Sequence, residues 1–212
     1  MGQIKNGVLP EPKFHEDVTV LFTDFENFST LTRKLGASEM LHHLKVLFYA
    51  FDEIFASYRL ERIKTIGDGY LAIAGIHSPK ELSCLRVAAA VFKLNEFLSF
   101  YNQMIGAEIW NLKAGAHKGA VISGVIGYQK IAFDIWGEAV NLTSRIVNTP
   151  SPGQLCVTED VFDMIQSYVD SFEKREEMLD GVGMRELYFI SSLKSSLPEE
   201  IIDYNKKSTF KP

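Results

Sequence analysis

The order of apolar patterns along the chain predicts an α+β fold of ferredoxin-like type, a βαββαβ core with further strands and a helix toward the C-terminus. Two observations carry this. Short apolar or alternating runs are interleaved with stretches whose apolar residues recur every three or four positions, in the order β-α-α-β-β-α-β-β-α-β. In the middle, Gly67-Asp68-Gly69 separates the alternating run Arg62–Ile66 from the apolar run Tyr70–Ala74, the pattern of a hairpin with a tight turn. The helices are expected on one face of the sheet. There is no internal repeat and no low-complexity block.

Each element has a local reason. Met1 to Glu16 is polar with two prolines and reads as a loose lead-in. Val18–Thr23 is nearly all apolar and therefore a central strand. Ser29 or Thr30 is suited to cap a short helix ending near Gly36. Ser38 opens a long helix whose inward face carries Met40, Leu41, Leu44, Leu47, Phe48, Phe51, Ile54 and Phe55. Ser78-Pro79 starts another helix, running to about Ile105. From Ile109 to Ile126 the pattern is again extended, interrupted by Gly115, Gly119 and Gly124; an arm, Gly127–Ile131, and a strand, Ala132–Trp136, follow. Gly137 to about Asn148 is a short helix, Leu155–Val157 a strand and Glu159–Ile165 a helix. Closing strands lie near Ser171–Arg175 and Arg185–Ile190. The domain is placed at residues 16–191, between a flexible lead-in (1–15) and a polar tail (192–212).

The 212 residues are enough for one sizeable domain. A hydrophobic content of 46% and a charged content of 23% are those of an ordinary globular chain. The net charge of −5 argues against bulk attraction to nucleic acid or to an anionic membrane, so a polyanionic ligand needs metal ions for part of its charge compensation. Cys84 and Cys156 stand in no metal-ligand spacing and read as two buried thiols, which suits a reducing, cytoplasmic compartment. The N-terminus has no signal-peptide pattern, and no apolar run approaches the roughly 20 residues of a transmembrane helix.

Two carboxylates stand out. Asp68, at the hairpin tip, is either a turn residue bonding its own backbone or a metal ligand. Asp24 ends the apolar strand just before a helix start, where the N–H groups of Asn27 to Thr30 are suited to phosphate oxygens. If the two strands pair, both carboxylates meet at one sheet edge, and such a pair usually holds metal; two Mg²⁺ bridging phosphate oxygens is the natural arrangement.

Val20–Ser29, Ile63–Tyr70 and Phe133–Arg145 together resemble three motifs of the class III nucleotidyl cyclase catalytic domain, in the right order, over about Glu16 to Ile190. The resemblance implies that fold and a set of roles. Asp24 and Asp68 match the metal-binding aspartates, with the Phe25 carbonyl as a further ligand for two Mg²⁺ or Mn²⁺. Phe28 and Ser29 fall in the phosphate loop. Lys64 and Asp134 match the base-reading pair; a lysine donating to ring N1 and an aspartate accepting from an exocyclic amine suit adenine. Asn141 and Arg145, four apart on one helix face, match the residues that orient the ribose and stabilise the transition state. The plainer alternatives are a solvated lysine, a turn acid, an asparagine cap and a surface arginine.

The resemblance further implies a homodimer with shared sites, the Gly127–Ile131 arm in its interface, and an N-terminal sensor domain in a longer chain. The expected activity is adenylate cyclase, ATP to 3′,5′-cyclic AMP and pyrophosphate. The rivals are a guanylate cyclase and a nucleotide-binding regulatory domain without turnover. A Gly-Gly-(Asp/Glu)-Glu-Phe turn of the diguanylate cyclases is absent from the sequence. The chain departs from the pattern at Asn27, where the family has glycine. It departs again at Asp180-Gly181-Val182-Gly183, where the family's Lys-Gly-x-Gly lysine is missing, and at Gln154, where some members have arginine. Lys174, Arg175 and Arg185 are the candidate substitutes for the missing lysine. His117 is expected to be structural.

Overall fold

The computed structural model describes residues 10–77, 80, 82–127 and 130–201. In chain order the elements are β1 (Lys13–Phe25), α1 (Phe28–Leu35), α2 (Ala37–Ser57), β2 (Glu61–Ile66), β3 (Gly69–Ala74), α3 (Ser83–Ile105), β4 (Leu112–Ile126), β5 (Ala132–Trp136), α4 (Glu138–Ile146), β6 (Leu155–Thr158), α5 (Glu159–Ile165), β7 (Val169–Leu179) and β8 (Gly183–Leu193). They build one eight-stranded mixed sheet in the order β2-β3-β1-β4-β6-β8-β7, with β5 paired to β4 off this path. All the pairings are antiparallel except β4 with β6. The α+β class is as the sequence predicts.

Side-chain alternation splits β1 and β3 cleanly between two cores. Leu21, Phe25, Tyr70 and Ala72 face one side, where they join buried residues of α2, α3 and α5 such as Phe51, Phe55, Val91 and Phe162. Val20, Leu71 and Ile73 face the other side, with Val121, Ile135 and Ala139. Helix α4 therefore lies opposite the other packed helices, which corrects the expectation that all helices share one face. The cause is in β4. A Cβ at Gly115 would stand 2.6 Å from the Val147 amide nitrogen, and one at Gly119 would meet the Ala139 Cβ at 3.0 Å. These glycines do not interrupt the strand; β4 runs unbroken for 15 residues, and its glycines form the groove into which α4 settles.

Other boundaries move for identifiable reasons. α1 begins at Phe28, capped not by Ser29 or Thr30 but by Asn27, which adopts the left-handed conformation (φ 56°, ψ 22°). The amides of Thr30 and Leu31 both donate to the Asn27 carbonyl at 3.0 Å. α2 starts at Ala37, and Leu41, expected on its inward face, is exposed. α3 begins at Ser83; Ser78 and Pro79, expected to open it, lie outside the described residues, as do Tyr128 and Gln129 of the expected arm. Ile131, at the arm's end, is exposed. β1 starts at Lys13, inside the expected lead-in, because Lys13, Phe14 and His15 pair with Ser123, Ile122 and Val121 of β4. β7 and β8 are each 11 residues long, far longer than the alternation showed. The expected tail contributes to the core: Ile201 is buried, and the Glu200 carbonyl accepts from the buried Arg86 guanidinium at 3.2 Å.

Candidate active site

The β1–β3 pairing sets Thr23 opposite Tyr70, so that Asp24 and Asp68 follow at the same edge of the sheet. Ile66 pairs with Gly69, leaving Gly67-Asp68 as a two-residue turn with Gly67 at φ +62°. The Asp68 carboxyl is within hydrogen-bond reach of the Asp24 carboxyl and accepts from its own amide and that of Phe25. Burial, and after it the Asp24 charge, pushes Asp68 up from 3.8 to about 6. Asp68 bonds its own backbone, as a turn residue does, and it also faces a second acid. Among the described residues there is no cluster of three His, Cys, Asp or Glu side chains. The oxygen set here is two carboxylates with the Phe25 carbonyl between them in sequence. Two crowded carboxylates, one with its charge suppressed by burial and by the other, fit a hard divalent cation, with phosphate and water oxygens completing its shell.

Register adds a residue that pattern reading missed. Lys113 of β4 is the direct cross-strand partner of Asp24. The strand alternation sets Lys113, with Gly115, on the α4 side of the sheet, the side to which Asp24 also belongs.

Lys64 and Asp134 are 70 residues apart, yet the Lys64 Nζ donates to the Asp134 Oδ2 at 2.6 Å. A β-bulge makes this possible. Arg62 pairs with Ala72 and Lys64 with Leu71, so Ile63 is the extra residue. Strict alternation would hold Lys64 on the side of Arg62, which meets Asp52 of α2 at 3.2 Å. The bulge turns Lys64 to the opposite side, where β5 folds over. The other Asp134 oxygen accepts from the Ile135 amide at 2.9 Å, which fixes the carboxylate plane.

Asn141 and Arg145 share a face of α4, and Arg145 is held by backbone: its Nε donates to the Asp180 carbonyl at 2.5 Å and its Nη1 to the Asn141 carbonyl at 2.9 Å. They line a cavity of about 420 Å³ together with His117, Glu138, Gly181 and Arg185. The His117 Nδ1 lies 2.9 Å from the Thr158 Oγ1, and burial pushes this imidazole down from 6.5, so it is neutral at pH 7. Of the candidate cations for a terminal phosphate, Lys174 is spent on Glu186 at 2.6 Å and Arg175 lies over the Phe189 ring at 3.7 Å; only Arg185 faces the cavity. Gln154 bonds Ser191. Phe28 and Ser29 form the first turn of α1 beyond Asn27.

The expected site residues thus fall into three pairs, Asp24 with Asp68, Lys64 with Asp134, and Asn141 with Arg145. Among the described residues no hydrogen bond or ion pair joins one pair to another. The fold and these pairs define a class: a mixed-sheet domain with two crowded carboxylates at one sheet edge and, on its α4 side, a cavity lined by basic groups.

Comparison with known proteins resolves the class to a family. Residues 11–192 match the model of the adenylate and guanylate cyclase catalytic domain, and the chain belongs to that family. It is 31% identical over 193 residues to the receptor-type guanylate cyclase gcy-20 of Caenorhabditis elegans, covering 89% of this chain and 17% of that protein. To an adenylate cyclase of Mycobacterium tuberculosis it is 29% identical over 191 residues, 88% of this chain and 42% of the relative. The chain therefore spans less than half the length of these relatives. Among solved structures, it resembles the catalytic core of a rhodopsin-guanylyl cyclase with converted specificity in complex with ATPαS (TM-score 0.78, 26% identity, 86% of this chain and 98% of that one). No described helix is long and apolar enough to cross a membrane.

Proposed function

We propose that this domain is an adenylate cyclase that converts ATP to 3′,5′-cyclic AMP and pyrophosphate, with two Mg²⁺ or Mn²⁺, at sites shared by two copies of the chain. Relatives of both substrate classes leave the purine open, and the choice of ATP rests on one observation, the Lys64–Asp134 pair at 2.6 Å. A lysine cannot accept a hydrogen bond and a carboxylate cannot donate one. Opened around a purine, the pair offers a donor to adenine N1 and an acceptor to its 6-amino group. Guanine presents N1–H to the lysine and a carbonyl to the carboxylate, and both contacts are then repulsive.

Asp24, Asp68 and the Phe25 carbonyl are the cation ligands in this reading, and the bound cations supply charge compensation and acidify the ribose 3′-hydroxyl. The first turn of α1, at Phe28 and Ser29, and Lys113 add positive potential beside the phosphates. Asn141 orients the ribose. Arg145, already anchored through Nε, turns its remaining N–H donors to the α-phosphate as charge develops there. The 3′-oxygen forms the new bond to the α-phosphorus, the bond from that phosphorus to the α,β-bridging oxygen breaks, pyrophosphate leaves with that electron pair, and the 3′ proton passes to water.

That the three pairs remain separate within one chain supports a composite site, in which one copy offers the acids and the other the purine and phosphate residues. Exposed Ile122, Phe133 and Trp136 on the β4–β5 arm give two copies an apolar surface to share. Turnover of ATP and GTP is to be compared with Mn²⁺, reading cyclic AMP and cyclic GMP. Cyclic AMP as the main product is expected; preference for GTP would overturn the purine reading, and no product from either would favour a regulatory, nucleotide-binding domain.

A further inference from the structure

The cavity between α4 and the β7–β8 turn holds two guanidinium groups, those of Arg145 and Arg185. Among the described residues, neither forms an ion pair. Arg145 is bonded only to the carbonyls of Asp180 and Asn141, and Arg185 makes only a long contact of 3.4 Å to the Met184 carbonyl. Glu177, opposite Arg185 in the β7–β8 register, lies 3.9 Å from the Nε of Arg175, and Glu138, in the first turn of α4, lines the same cavity without forming an ion pair with either guanidinium.

Register settles where Arg185 stands. Leu187 and Leu179 are buried against Ile146 of α4, and Arg185, two residues before Leu187 on the same strand face, continues that row past the end of the packed layer. Two like charges around one cavity repel unless an anion lies between them, and a guanidinium fork is built to grip phosphate oxygens. A single phosphate needs one fork. Two forks, in a cavity of about 420 Å³, match a condensed phosphate.

We infer that Arg185 is a substrate-binding residue, a second guanidinium that grips the terminal phosphates of the nucleotide beside Arg145. The inference rests on the nucleotide reading above and names the residue that takes the part of the lysine missing at Asp180. Arg185 is exposed, so its replacement leaves the fold intact.

The test uses inorganic tripolyphosphate, which carries the phosphates without base or ribose, and adenosine, which carries the reverse. Both are titrated calorimetrically into wild-type protein, Arg185→Gln and Arg185→Lys. Arg185→Gln is expected to bind tripolyphosphate about 10-fold more weakly, the scale of one charge-assisted contact. Adenosine binding should not change, and Arg185→Lys should recover most of the loss. In turnover, Arg185→Gln should raise KM for the triphosphate about 10-fold with kcat within about threefold. Equal tripolyphosphate affinity in wild type and Arg185→Gln overturns the assignment, while cyclic AMP production by the wild type would leave the cyclase reading standing. Weaker tripolyphosphate binding in Arg185→Gln by a protein without turnover supports the anion site and sinks the cyclase reading alone.

Discussion

Replacing Asp68 by asparagine should make the metal-free protein more stable and the metal-loaded protein inert. The folded protein holds the Asp68 proton more tightly than the unfolded chain does, with the group raised from 3.8 to about 6. Its charged form is therefore disfavoured in the fold: the cost is absent below about 4, grows as pH rises, and is complete above about 6. A fully sheltered group with that displacement would lose about 3 kcal/mol. Half the group faces water, and screening reduces the figure to about 1–2 kcal/mol. For a chain of this length, each kcal/mol moves Tm by about 2–4 °C. In EDTA at pH 8, Asp68→Asn should melt about 3–6 °C above the wild type; at pH 4 the two should coincide. Mn²⁺ should raise the wild-type Tm and leave the variant where it was, because the carboxamide keeps the backbone contacts but not the charge. The measurement is a thermal melt followed by circular dichroism at the two pH values with and without Mn²⁺. The same gain at pH 4 as at pH 8 would refute the charge argument, and an equal Mn²⁺ response in both proteins would refute the cation assignment.

Other outcomes follow from the same geometry. An Asp24→Ala chain mixed with an Arg145→Ala chain should regain one good site per heterodimer, roughly a quarter of wild-type turnover when the chains pair at random, although each chain alone is silent; mixtures as inactive as their components would exclude sharing. Lys64→Glu combined with Asp134→Cys should lower kcat/KM for ATP by about 100-fold or more and bring GTP turnover up, since a site built to hydrogen-bond one purine edge rejects the other; unchanged ATP preference would remove these residues from base recognition. Gly115→Ala sets a methyl 2.6 Å from the Val147 nitrogen, so α4 must shift. A loss of about 1–3 kcal/mol is expected by thermal melt, together with reduced turnover because Asn141 and Arg145 ride on that helix.

Local chemistry made much of the molecule legible in advance. The helix Glu159–Ile165 and the strand Ala132–Trp136 sit at their expected bounds, because each has a short apolar period ended by polar residues. Asn27, which stands where the family has glycine, adopts the left-handed conformation that asparagine tolerates better than most residues. What could not be read depends on partners distant in sequence. Glycines in β4 look like breaks until a helix is known to lie on them. The bulge at Ile63 has no local signature, yet it decides on which side Lys64 emerges. The length of β7 and β8 comes from their pairing, since their exposed faces carry charges that blur the alternation. Arg185 was one of three basic residues near the hairpin; only the strand register and the partners of Lys174 and Arg175 separate it from them. The tail read as polar because its apolar residues are scattered, and the burial of Ile201 comes from the core distant in sequence against which it packs.

One strand serves as common chassis. β4 carries β5, and with it Asp134, near its end; it cradles α4, and with it Asn141 and Arg145, along its middle; and it pairs near its start with the β1 segment that carries Asp24. In the proposed function, the gap between the Lys64–Asp134 purine clamp and Arg145 is thus a structural constant of each copy, as in a gauge cut from one bar. What that reading leaves adjustable is the seating of one copy's acids against the other's gauge, so it expects control over the rate to act most directly on how the two copies dock.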